Sequence, residues 1–201
     1  MQKYRIEGLS DLVFGLALSI GSLAMINQNV DDQGDILSGM IWFTFGFLII
    51  VKVWVSYSDV MSESKVETEF DFRLNLLLLL LVSIEPYLLY VMGKEDQQIM
   101  GFSTILYSVD IGLIMLVLGL YYHRRIMTQD GAVGQDRHDI NQRNSHYLVA
   151  ALFLVSAIPV FWDFTILDTK FRYVLWMTSI IPGIVYGQIL PRLERGKGSS
   201  V

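Results

Sequence analysis

Arg5, Glu7, Ser10 and Asp11 fall within one short string, RIEGLSD, at the head of a segment that carries no further charge until Asp31. A guanidinium, two carboxyls and a hydroxyl at that spacing can form ion pairs and charge-assisted hydrogen bonds with neighbouring helices. They cannot be left unpartnered in hydrocarbon, where an isolated charge is costly. Four further charges, Lys52, Glu85, Asp110 and Asp163, each interrupt an apolar run. An ionisable residue inside a membrane segment is a functional-site hypothesis by default. Against that stands a plain alternative, in which Lys52 snorkels to the interface and the acids lie near interfaces or pair within a bundle. Asp110, in YSVDIGLIM, has the deepest apolar context. His123, His138 and His146 border a polar stretch, lack metal-ligand spacing and read as solvated surface.

The elements that must hold these groups are apolar and long. Six stretches, roughly 7–27, 36–57, 74–92, 101–122, 147–167 and 172–190, approach the ~20 residues needed to cross a bilayer core. Hydrophobic residues make up 53% of the chain and charged residues 17%, with a mean hydropathy of +0.45. Soluble domains are nearer a quarter charged. The expected fold is therefore an all-α membrane protein, residues 1–201 forming one domain of six transmembrane helices with no soluble domain. No signal peptide is evident in the first span, which carries acids at its start.

Lys and Arg set the expected orientation. With the N-terminus inside, the inner segments hold Lys3, Arg5, Lys65, Arg73, Arg124, Arg125, Arg137, Arg143, Arg192, Arg195 and Lys197. The outer loops hold Lys94, Lys170 and Arg172, which predicts cytoplasmic termini at both ends. Asp31, Asp32 and Asp35 make the first outer loop acidic, as a solvated turn or as a concentrator of cations at an outer mouth. A net charge of -5 without a basic stripe speaks against nucleic acid as a partner. With no Cys, disulfides, thiolate metal sites and Cys nucleophiles are excluded.

Within the first span, Gly8, Gly15, Ser19 and Ser22 are small and recur at helical spacing, which favours close helix approach. Leu16, Ile20 and Leu23 form an apolar stripe beside them. Pro86, Pro159 and Pro182 fall in spans three, five and six and predict kinks in a packed bundle. The polar stretch 123–146, with Gly131 and Gly134 as breakers, divides helices one to four from five and six.

RIEGLSD resembles the Arg-x-x-x-Phe-Ser-Asp signature that opens the first helix of the transmembrane-175 potassium channel family, whose bacterial and archaeal members have a single six-helix repeat. Trp54, Leu74-Asn75-Leu76, Pro86 and Tyr107 also fall where that family's pattern expects them. Leu9 stands in place of the usual Phe. Tyr57-Ser58 occupy the place where relatives often carry His after the Trp, which puts the polar network among the helices in question.

The resemblance implies a homotetramer in a prokaryotic plasma membrane, with the first helices around a central pore. Leu16 would sit at the main constriction, Ile20 and Leu23 would continue the same face outward, and Ser19 would lie beside the pore. Arg5, Ser10 and Asp11 would knit helices together. Apolar rings can gate by excluding water. Selectivity for K+ over Na+ would come from the hydration each ion sheds, and since about 1.4 kcal/mol is tenfold, one or two decades is the expected limit. A proton-conducting channel is a close variant. No cofactor is implied beyond the permeating K+.

Two other classes compete. Glu85 and Asp110 would serve an ion- or proton-coupled secondary transporter, yet neither repeats nor broken helices are evident. An enzyme finds no nucleophile elbow or paired metal motif, and Ser156 and His146 on one helix would stand about 15 Å apart along its axis.

Overall fold

The computed structural model describes residues 3–26, 33–63, 69–92, 97–128, 133–161, 164–166 and 169–186. Asp31, Asp32, Lys65, Lys94, Gly131, Asp163, Arg192, Arg195 and Lys197 lie outside them. Five long helices come first: α1 (Lys3–Ile26), α2 (Gln33–Glu63), α3 (Glu69–Met92), α4 (Gln97–Thr128) and α5 (Val133–Ser156). Two short strands, β1 (Thr165–Ile166) and β2 (Thr169–Lys170), pair antiparallel before α6 (Phe171–Thr178) and α7 (Ile180–Ile184). Among the described residues, four helices are long and apolar enough to cross a membrane, over Tyr4–Leu23, Gly39–Ser62, Glu69–Met92 and Ile99–Met127.

The chain divides into two compact units, Met1–Ile114 and Met115–Val201. In the first, α1 packs on both α2 and α3. Its core is built from Ile6, Phe14 and Ala17 of α1, Ile50, Val53, Val60 and Met61 of α2, and Leu78, Leu79 and Val82 of α3. Pro86 stays inside a continuous α3, so the missing amide is absorbed without ending the helix.

In the second unit the fifth and sixth apolar stretches are organised differently from the sequence expectation. Helix α5 begins at Val133, inside the polar stretch 123–146 expected to divide the helices, and ends at Ser156 instead of continuing to 167. The reason is Pro159: it has no amide for the carbonyl of Val155, and its ring crowds the preceding turn. The backbone tightens accordingly, with Ala157 bonding to Leu154, Ile158 to Val155 and Phe161 to Ile158, and a 3-10 turn over Pro159–Phe161 follows.

Pro182 does the same to the sixth stretch. It deprives the carbonyl of Thr178 of a donor, and Thr178 is the last residue of α6. Ser179 bridges the break, its amide shared by the carbonyls of Leu175 and Trp176 and its hydroxyl donated to Trp176 O at 2.6 Å. The α5–α6 contact is aromatic. Phe153 stacks on Trp176 at 5.8 Å, and Trp176 Nε1 donates to Ser156 Oγ at 3.0 Å.

Candidate functional site

A helix advances 100° per residue, and on that wheel α1 separates into three sectors. Ile6, Ser10, Phe14 and Ala17 fall on one side and are buried against α2 and α3. Leu9, Leu12, Leu16, Ile20 and Leu23 share a second sector and are exposed on the single chain, Leu16 by 58%, Ile20 by 41% and Leu23 by 58%. Gly8, Gly15, Ser19 and Ser22 make a third, equally exposed. A Cβ at Gly8 or Gly15 would meet nothing within 4 Å. The small residues expected to bring helices close therefore do not do so within this chain.

Ser19 returns its hydroxyl to Gly15 O at 2.8 Å and Ser22 returns its own to Leu18 O at 3.1 Å. Both keep their backbones satisfied while leaving oxygen lone pairs outward. Leu16, Ile20, Leu23 and Ser19 thus stand together on one open side of α1.

The signature residues behave less uniformly. Ser10 is fully buried, donates to Ile6 O at 2.9 Å and shares a 2.7 Å hydrogen bond with the hydroxyl of Tyr57 on α2. Asp11 accepts from Trp54 Nε1 at 3.0 Å. Arg5 is exposed and pairs with no described residue. Among the described residues, Ser10 and Asp11 thus make two ties from α1 to α2, and Arg5 takes no part in them. Tyr57, the departure that put the network in question, is itself a member of it and packs on Phe14 with ring centroids 5.7 Å apart.

Two intramembrane acids are deeply enclosed. Glu85 of α3 is 1% exposed and Asp110 of α4 is 5% exposed. Tyr107 of α4 donates to Glu85 Oε1 at 3.2 Å, and Asp110 lies within electrostatic range of Glu85. Glu85 Oε2 and Asp110 Oδ2 have no hydrogen-bond partner among the described residues. Both are enclosed by the chain itself, and among the described residues no Lys, Arg or His neutralises either one. Gly46 of α2 makes the room: a Cβ there would come within 3.1 Å of Glu85 Oε1. Lys52 is partly buried on a different face of α2 from Gly46.

The second unit holds charges whose burial was not anticipated. Arg125 Nε lies 2.9 Å from Asp139 Oδ2, with both side chains almost wholly buried. His146, expected on the solvated surface, is 2% exposed, stacks on Tyr122 at 5.3 Å and places Nδ1 2.7 Å from Gln142 O. A hint was present in the sequence: Asp139, Gln142 and His146 recur at helical spacing and point one face of α5 inward. Polarity masked it, because a stretch so rich in Arg, Asp and Asn reads as a loop. No group of three or more His, Asp or Glu suited to a metal ion occurs among the described residues.

These observations define a helical protein with, among the described residues, four membrane-capable helices, an open apolar face on the first and two enclosed acids. No family model, curated protein or solved structure matches the chain.

Proposed function

We propose that the chain is one subunit of a potassium-permeable cation channel in the plasma membrane of a prokaryote, assembled as a homotetramer around the α1 helices. Six crossings, the last two over about 147–167 and 172–190, leave both termini cytoplasmic. The observation that carries this reading is the three-way division of α1. A pore-lining helix in a ring of copies needs one side for its own subunit, one for a neighbouring copy and one for the path. The buried sector supplies the first. The Gly8, Gly15, Ser19 and Ser22 sector suits close approach of a neighbour, and Leu16, Ile20 and Leu23 supply apolar rings. Dewetting of those rings gates the path, and partial dehydration at them separates K+ from Na+.

Proteoliposomes loaded with K+ and diluted into Na+ test the proposal. Proton-coupled dye quenching triggered by a proton ionophore, and barely increased by valinomycin, is the expected result. Leu16→Ala and Ile20→Ala widen the rings and are expected to raise flux while lowering K+ preference by up to about tenfold, or about 1.4 kcal/mol. Unchanged conductance and selectivity in both variants would remove the pore assignment.

One observation favours a secondary transporter instead: the enclosure of Glu85 and Asp110 without a countercharge. Saturable uptake tied to a gradient, in place of voltage-driven flux, would bring that reading forward.

A further inference from the structure

Glu85 presents a problem that burial alone does not resolve. Its Oε1 accepts from Tyr107, but Oε2 is buried and has no donor. A cavity of about 10 Å³ adjoins this carboxyl. Ala17, Leu18 and Gly21 of α1 wall it on one side, Phe43 and Gly46 of α2 on another. None of these residues titrates or carries charge, and α3 contributes Glu85 itself. From α4 come Tyr107, a neutral donor, and Asp110, another acid with an unpartnered oxygen. Among the described residues, the groups named around Glu85 therefore offer either no charge or negative charge.

An ionised carboxylate in such a place lacks both a cation and a second donor, which costs several kcal/mol per ion even after relaxation. A metal cation would need several oxygen ligands and space for them, whereas this cavity is at the lower limit for one water molecule. A proton needs neither. It turns the unpartnered acceptor into an O–H donor beside a cavity with room for a single water, and it removes the repulsion from Asp110.

We propose that Glu85 is an intramembrane proton-binding site, holding its proton on Oε2 at neutral pH, with Tyr107 positioning the carboxyl and the small cavity against α1 adjoining it. The site holds for a pore and for a carrier alike, because it concerns which group carries the proton and not what crosses the membrane. Its α1 wall is the side of that helix turned away from Leu16, Ile20 and Leu23, so the proton sits behind the proposed pore face.

Infrared spectroscopy of the purified full chain reads the site without any transport assay. At neutral pH the wild type is expected to show a protonated carboxyl C=O band that downshifts in deuterium oxide. Glu85→Gln should abolish it, Asp110→Asn should retain it, and Tyr107→Phe should raise its frequency by removing the hydrogen bond to Oε1. Size-exclusion chromatography checks that each variant keeps the wild-type elution. If Glu85→Gln fails to fold, the Tyr107→Phe displacement decides the assignment. A missing band at neutral pH, or one that survives Glu85→Gln, would overturn the proposal. So would a band that emerges only when Na+ and K+ are withdrawn, since the occupant would then be a metal cation. Failure of the channel reading in the flux assay leaves all of these readouts intact.

Discussion

Both units of the molecule bury carboxyl groups, and they handle the charge in opposite ways. In the second unit Asp139 is matched by Arg125 at 2.9 Å, on helices α5 and α4. In the first, Glu85 faces one hydroxyl, a small cavity and the charge of Asp110, and among the described residues none supplies a cation. A matched pair is closed chemistry. Its attraction offsets desolvation only while both members are present, and removing one leaves a bare buried charge. An unmatched acid is open chemistry, because its neutral form is tolerated and can exchange a proton. The closed pair therefore reads as architecture, and the open acids read as the place where something binds.

Substitution separates the two cases. Asp139→Ala and Arg125→Ala should each destabilise the purified protein by about 3–5 kcal/mol, since each strands a charge. Thermal unfolding followed by tryptophan fluorescence measures the loss, and a paired Arg125→Met, Asp139→Leu replacement should recover most of it. A single alanine with no effect would break the contrast at once.

Gly119→Ala comes next. A Cβ there would collide with the ring of Tyr147, so overpacking between α4 and α5 should cost about 1–3 kcal/mol in the same assay. Glu85→Gln should cost less, under about 1.5 kcal/mol, because the amide conserves volume and still accepts from Tyr107. A loss as large as that for Asp139→Ala would mean that Glu85 is a paired charge after all. Smallest is Tyr57→Phe, at about 1 kcal/mol, for one hydrogen bond lost while Ser10 keeps its bond to Ile6.

Much of the first unit was legible in the residues themselves. Predominant apolarity over bilayer length marks α1 to α4 without reference to any partner. Asp110 and Glu85 stood out because a charge in an apolar run is conspicuous wherever it packs. The network at the head of α1 was only half legible. Ser10 and Asp11 were singled out, but Ser10 bonds Tyr57 and Asp11 bonds Trp54, on a helix more than forty positions away. Nothing local to RIEGLSD selects those donors. In the second unit legibility failed for the converse reason. Arg125, Asp139 and His146 look like solvent-facing groups in a polar stretch, and only their meeting across α4 and α5 buries them.

By itself the sequence determined how long and apolar the helices are, where charges interrupt them and where prolines withhold an amide, because all of these depend on residues within a few turns. Tertiary structure decided which sector of α1 stays open, which acid gains a countercharge and which does not, and that Tyr57 completes the polar tie. Those outcomes depend on burial and on partners brought together from distant parts of the chain, and a buried polar group is stable only when such a partner arrives.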